Sequence, residues 1–120
     1  MNWLFVYGSL RRGQENHSYL ADQRFLGEAL TQPRYRLVHW AGYPALVVAA
    51  SEQEAHQVAG EVWEVTDACL AALDAFEEVP HLYVRQPVAL AGSWPREVDA
   101  YFLSPTLASM FRKSERSGLD

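Results

Sequence analysis

The stretch Trp3-Leu4-Phe5-Val6-Tyr7-Gly8-Ser9-Leu10-Arg11-Arg12-Gly13 constrains this chain more than any other. An unbroken apolar run stops at Tyr7 and gives way to glycine, serine and adjacent arginines. A short apolar run bounded by turn residues predicts a strand buried on both faces. Gly8 has no Cβ, so the backbone there can bend tightly or approach a ligand closely. The strand is therefore expected to deliver a row of backbone N–H groups into a loop. Such a row can cradle an anion or stabilise developing negative charge. An ordinary turn after a core strand accounts for the same residues.

A chain of 120 residues is expected to form one domain. That length buries a core without needing a disulfide or a structural metal. The net charge of −5 argues against nonspecific binding of nucleic acid. Cys69 is the sole cysteine, so no internal disulfide forms, which fits a reducing, cytoplasmic setting. The run from Trp3 to Tyr7 is too short for a signal segment or a membrane span. No membrane partner is expected, and no sequence feature reports the oligomeric state.

Beyond the first strand, Gln14 to Leu20 reads as a short helical turn with Asn16 as cap and His17 in a structural role. Strands are expected at Phe25–Leu30, Tyr35–Trp40 and Ala45–Ala49, with Ala41-Gly42-Tyr43-Pro44 as a turn. His56 to Val65 alternates between faces and reads as a further strand. Tyr43 and Trp63 are read as core or rim residues. Thr66 is a good N-cap for an Ala- and Leu-rich helix from Asp67. Pro80 disfavours helical backbone at Val79, so the helix should end near Glu77 or Glu78. Two late strands, Tyr83–Leu90 and Glu97–Leu103, are expected to form a hairpin through Gly92–Pro95, with Pro87 marking an edge or an interruption. The compact domain is placed at residues 1–103. Residues 104–120 are expected to be partly docked, through Leu107, Met110 and Phe111, or loose, with a polar tail after Arg112.

Leu70, Leu73 and Phe76 form the apolar stripe of this helix, and Glu77 falls only about 40° from its centre. Glu78 falls about 140° away, as an ordinary solvated acid. Burial raises the pKa of a carboxyl group, and the negative end of the helix dipole pushes the same way. A carboxyl group shifted toward neutrality suits general acid–base work at neutral pH. The alternative is a buried ion pair with Arg85 or Arg36, which would lower the pKa and make Glu77 structural.

Other chemistries find less support. Ser9 has no nucleophile-elbow motif around it. Cys69 reads as a small core residue. His17, His39, His56 and His81 are scattered without metal-ligand spacing, and the phosphate-loop and dinucleotide glycine motifs are absent. No metal or cofactor is expected.

Taken together, Tyr7-Gly8-Ser9-Leu10 with Arg12-Gly13 and Asn16-His17, and Leu73-Asp74, Phe76-Glu77, Leu82-Tyr83 and Arg85, resemble the two signatures of the gamma-glutamylcyclotransferase-like family. The likeness is closest to its gamma-glutamylamine cyclotransferase branch and extends to about Leu103. It implies an α+β fold with a mixed, barrel-like sheet and a few short helices. It implies that Tyr7, Gly8, Ser9 and Leu10 hold the gamma-glutamyl moiety of a small-molecule substrate, with Tyr83 also in contact, and that Glu77 is the acid–base residue. The implied reaction is attack of the substrate's own α-amine on its γ-carbonyl, releasing 5-oxoproline and a free amine. Such an intramolecular attack needs positioning more than a protein nucleophile. Glu78 stands where relatives usually carry glycine, so the helix end and access to the leaving group are expected to differ. A catalytically inactive member that only binds a carboxylate-bearing ligand or a protein partner is the alternative. A purely structural interaction domain would show neither binding nor turnover.

Overall fold

The computed structural model describes residues 1–111. The expected strand at the N-terminus is β1 (Asn2–Val6), and its burial explains its composition. Leu4 and Val6 enter one apolar cluster and Phe5 the opposite one, so both faces of β1 are covered. The chain continues through a single 3-10 turn (His17–Leu20), β2 (Arg24–Leu30), β3 (Tyr35–Trp40), β4 (Tyr43–Val48), β5 (Ala59–Val65), α1 (Asp67–Phe76), β6 (Tyr83–Pro87) and β7 (Asp99–Leu103). A second helix, α2, occupies 105–111. No helix among the described residues is long and apolar enough to cross a membrane.

The fold is α+β, with all seven strands in one mixed sheet ordered β2-β5-β1-β7-β4-β3, and β6 beside β7. The sheet is open: β2 and β3, at the two ends of that path, are not paired to each other. β7 is the strand that shapes the site. It pairs antiparallel with β6 from Tyr83 opposite Leu103 to Pro87 opposite Asp99. A strand has only two edges, so β1 and β4 must share the other one. β1 runs parallel beside Asp99 and Ala100, and β4 runs parallel beside Phe102. The two strands therefore separate at Tyr101 and leave a fork in the sheet.

Three apolar clusters hold the sheet. α1 and the 3-10 turn cover one face through Leu70, Leu73 and Leu20, against Leu4, Val6 and Trp63. The connection 88–98 covers the other face with Val88, Val98 and Trp94, against Phe5, Val62 and Phe102. Leu107 and Phe111 of α2 pack on Val38, Ala45, Val47 and Leu103. Gly60 marks the tightest crossing. A Cβ there would overlap the Val6 carbonyl and stand 2.6 Å from the Phe5 ring, which excludes every larger residue.

Several boundaries depart from expectation for physical reasons. The turn between β3 and β4 is confined to Ala41 and Gly42, both with positive φ (51° and 84°), so Tyr43 and Pro44 belong to β4. Such a two-residue turn matches strand twist and needs no proline. The stretch from His56 joins the sheet only at Ala59, although His56 bridges Tyr35. β6 stops at Pro87, which has no N–H to continue a ladder, and β7 starts at Asp99. Phe76 is not in the buried stripe: it is 39% exposed and packs on Tyr19, ring centroids 4.6 Å apart. Met110 is exposed as well, so Leu107 and Phe111, with Ala108 rather than Met110, dock α2. The polar tail lies outside the described residues.

Candidate functional site

A cavity of about 290 Å3 opens at the fork between β1 and β4. It stands at the small end of small-molecule sites, roughly 300–1,000 Å3. All six residues expected at the site line it: Tyr7, Gly8, Ser9, Leu10, Glu77 and Tyr83. Asn16, Trp40, Tyr43, Phe76, Glu78 and Tyr101 are among the other residues of the wall.

The loop after β1 is built as a rigid cradle. The Arg11 amide and Arg11 Nε both donate to the Gly8 carbonyl, each at 3.1 Å. The Asn16 amide donates to the Ser9 carbonyl at 2.8 Å, and Asn16 Nδ2 donates to Ser9 Oγ at 2.9 Å. Asn16 therefore ties the loop to itself; it makes no side-chain cap on the 3-10 turn. His17 has the structural role expected of it, with Nδ1 3.0 Å from the Leu10 carbonyl and its ring against Trp63. The Leu10 side chain is buried in the core beneath. Past the loop, the nearly buried Glu61 accepts from the Arg12 amide (3.0 Å), Arg12 Nε (2.9 Å) and Trp63 Nε1 (3.1 Å). Burial alone would raise the Glu61 pKa, but these donors hold it below the usual carboxylate value. With the carbonyls spent, the Gly8, Ser9 and Leu10 amides donate to no acceptor among the described residues. Successive free N–H groups of this kind form an anion-binding concavity. Gly8 sits close to the opposite wall: a Cβ there would stand 3.2 Å from Pro44 Cγ across the fork, so the proline ring would have to give way by a few tenths of an ångström.

Tyr7 fills the fork. Its hydroxyl donates to the Tyr101 carbonyl at 2.6 Å and accepts from the Leu46 amide at 3.0 Å. One phenol thus closes the main-chain groups exposed where β1 and β4 part. Burial pushes its pKa far above the ordinary tyrosine value.

The facing wall is the end of α1. Thr66 caps the helix start by accepting from the Cys69 amide at 3.1 Å. At the other end, the amides of Glu77, Glu78 and Val79 reach the carbonyls of Leu73, Ala75 and Asp74. Glu78 has φ 53°, the left-handed position that glycine usually occupies after a helix. The helix end is therefore kept without glycine, at the expense of strain in a residue with a Cβ.

Two carboxylates on this helix end have opposite environments. Asp74 accepts from Arg85 Nε (3.0 Å) and Nη2 (3.2 Å) and from the Tyr101 hydroxyl (2.6 Å). Burial would raise its pKa, yet Arg85 and Tyr101 hold it below the ordinary value. Glu77 accepts from no side chain and pairs with no cation among the described residues. Arg85 is taken by Asp74 and Asp99, and Arg36 by Glu54, so neither forms the ion pair that would have made Glu77 structural. Burial alone pushes Glu77 from 4.5 up to about 7. Burial, then the nearby Glu77 charge, lifts Tyr83 to about 12, so its hydroxyl stays protonated beside Glu77. This pairing of a fixed anion cradle with a carboxyl group that titrates near neutrality can hold a carboxylate and move a proton.

Sequence reasoning missed the supports: the Tyr7 hydroxyl bonds, Asn16 to Ser9, Arg12 to Glu61, and Arg85 with Tyr101 on Asp74. Among the described residues, no group of three or more His, Cys, Asp or Glu side chains converges to hold a metal ion.

The sequence profile of the gamma-glutamyl cyclotransferase, AIG2-like family matches residues 4–118. A Vibrio cholerae relative is 44% identical over 86 residues, 71% of this chain and 70% of that one. The gamma-glutamylaminecyclotransferase of Rattus norvegicus is 37% identical over 90 residues, 71% of this chain but 60% of that one. Among solved structures, an AIG2-like protein from Mus musculus superposes with a TM-score of 0.69 at 29% identity, covering 88% of this chain and 81% of that one.

Proposed function

The chain belongs to the gamma-glutamyl cyclotransferase, AIG2-like family, and from that premise we propose that it cyclises gamma-glutamyl amides. The substrate's α-amine attacks its own γ-carbonyl, closing 5-oxoproline and expelling the amine. The observation that carries this reading is a conjunction in one cavity. Three successive amides without acceptors among the described residues, Gly8, Ser9 and Leu10, share it with Glu77, a half-buried carboxyl group without a partner among those residues.

The chemistry divides between these two parts. The cradle binds the α-carboxylate by N–H donation and fixes the glutamyl chain in a folded, reactive conformer. The attacking nitrogen arrives as an ammonium and must lose a proton. The Glu77 carboxylate takes it, being basic enough at neutral pH because it is desolvated. The tetrahedral intermediate carries an oxyanion, which the Tyr83 hydroxyl or a free cradle amide can meet. Glu77, now protonated, delivers its proton to the leaving nitrogen, then takes the second proton that the former ammonium nitrogen sheds as the lactam forms and passes it to the departing amine, which leaves as an ammonium.

The test is release of 5-oxoproline from a panel of gamma-glutamyl amines, followed by chromatography and mass spectrometry. Wild-type protein should form the lactam, and Glu77→Gln should abolish it while remaining folded. Full turnover in that variant overturns the role of Glu77. Calorimetric binding of the panel without any lactam moves the protein to the binding-only alternative.

A further inference from the structure

The helix end that carries Glu77 carries a second carboxylate, Asp74, one turn earlier. Residues three apart on a helix are surface neighbours, so the two side chains stand one above the other. Asp74 is where α1 meets the β6–β7 pair. Tyr83 and Arg85 lie two apart on β6 and so share a face, Tyr83 lining the cavity and Arg85 reaching Asp74. Tyr101 stands directly opposite Arg85 in the ladder and reaches the same carboxylate. Asp74 thus receives the arginine fork through Nε at 3.0 Å and Nη2 at 3.2 Å, and the Tyr101 hydroxyl at 2.6 Å. The remaining nitrogen, Nη1, donates to Asp99 at 3.1 Å. Every nitrogen of the guanidinium is therefore committed. A cation has been brought to the last turn of α1 and held off the carboxyl group that has no partner there.

Resting on the cyclotransferase reading, we propose that Asp74 is a positioning residue for catalysis: it grips Arg85 and withholds it from Glu77, so that the base keeps no cationic partner. A guanidinium beside a carboxylate favours the charged form and so weakens it as a base. Arg85 would need little movement to do this, since one helical turn is about 5.4 Å. Asp99 holds a single nitrogen and leaves the fork free to turn. The two-point contact with Asp74 fixes orientation as well as distance. Tyr101 shares Oδ1 with Arg85 Nε and so fixes the rotation of the carboxylate. The other titratable groups of the cavity wall are Tyr7 at the fork, Tyr43 on β4, Tyr83 on β6, Tyr101 on β7 and the exposed Glu78. The four tyrosines are all held above the ordinary tyrosine value and stay neutral where Glu77 titrates. Tyr19 of the 3-10 turn packs on Phe76, and the exposed His81 after α1 lies outside the wall. No lining residue is Lys, Arg or His, so whether Glu77 meets a cation rests on the Asp74–Arg85 pair.

The experiment reads kcat/KM for 5-oxoproline release from about pH 5 to 9 in the wild type, Asp74→Asn, Arg85→Gln and the double variant. The wild type should rise to a plateau with a midpoint at about 7. Asp74→Asn frees the fork, so the midpoint should fall by about one pH unit and the plateau by about threefold. At about pH 5 that variant should then outpace the wild type by about threefold, which a merely displaced helix end cannot produce. Removing the cation as well, in the double variant, should return the midpoint to about 7. Arg85→Gln alone should raise it by at least about half a pH unit, because Asp74 then stands unneutralised one turn from Glu77. This single variant decides the matter if Asp74→Asn does not fold. A midpoint unmoved in Asp74→Asn, not restored in the double variant, or not raised in Arg85→Gln overturns the inference and leaves the cyclotransferase reading standing. Lactam from none of the four proteins overturns both.

Discussion

Replacing Glu77 by glutamine is expected to stabilise the protein, and to do so only above a defined pH. Burial raises the Glu77 pKa from 4.5 in the unfolded chain to about 7 in the folded one. The folded state therefore holds this proton more tightly. Below about pH 4.5 the group is protonated in both states and adds no penalty. As pH rises from 4.5 toward 7 the unfolded chain releases its proton first, and the wild type loses stability relative to a neutral side chain. Above about pH 7 both states are ionised and the full penalty remains. A displacement of this size corresponds to about 3 kcal/mol, trimmed toward 2 by water entering an open cavity. Glutamine carries no such burden at any pH. The stability difference between variant and wild type should thus be near zero at pH 4.5 and reach about 2–3 kcal/mol by pH 8. Urea denaturation across that range, extrapolated linearly to water, measures it. A pH-independent difference, or a variant less stable than wild type at pH 8, would show that Glu77 is solvated or paired, and the argument for its basicity would fail.

Three further outcomes follow from the same geometry. The kcat/KM for lactam formation should rise about tenfold per pH unit up to about pH 7 and then level, because Glu77 must begin as the carboxylate; a profile flat from pH 5 to 7 would contradict this. Tyr7→Phe leaves the Leu46 amide and the Tyr101 carbonyl without the phenol, which should lower stability by about 3 kcal/mol in urea titration; a loss below about 0.5 kcal/mol would mean that the fork does not depend on that hydroxyl. Glu78→Gly should raise the melting temperature by several degrees in calorimetry, through about 1 kcal/mol of relieved left-handed strain; a lower melting temperature would show that the Glu78 side chain makes a stabilising contact.

The parts of the molecule that were legible in the sequence are those fixed by local pattern. The Trp3–Tyr7 run announced a doubly covered strand, because a residue between two apolar layers must be apolar whichever way it points. Thr66 and Pro80 bracketed α1 through backbone chemistry that acts within a few residues. Glu77 was visible because a carboxylate at an apolar angular position breaks the helix pattern. Phe76 misled for a related reason. Angular position says which side a residue faces, but at the last turn the core has receded and Tyr19 is what remains to pack against. The fork, by contrast, depends on contacts between residues far apart in the chain. Tyr7 meets Tyr101 and Leu46, Arg12 meets Glu61, and Arg85 meets Asp74 and Asp99. No periodicity encodes such partnerships. The choice between an unpaired and an ion-paired Glu77 likewise required knowing that Arg85 and Arg36 were occupied elsewhere.

A hollow made by two strands parting company differs in kind from one made by trimming side chains. Its depth belongs to the course of the main chain, held open by a tyrosine laid across the gap like a crossbar. Its rim belongs to a two-residue turn and the last step of a helix. Those outer pieces can be recut while the bed beneath keeps its form, so the opening can change its fit without disturbing what lies under it.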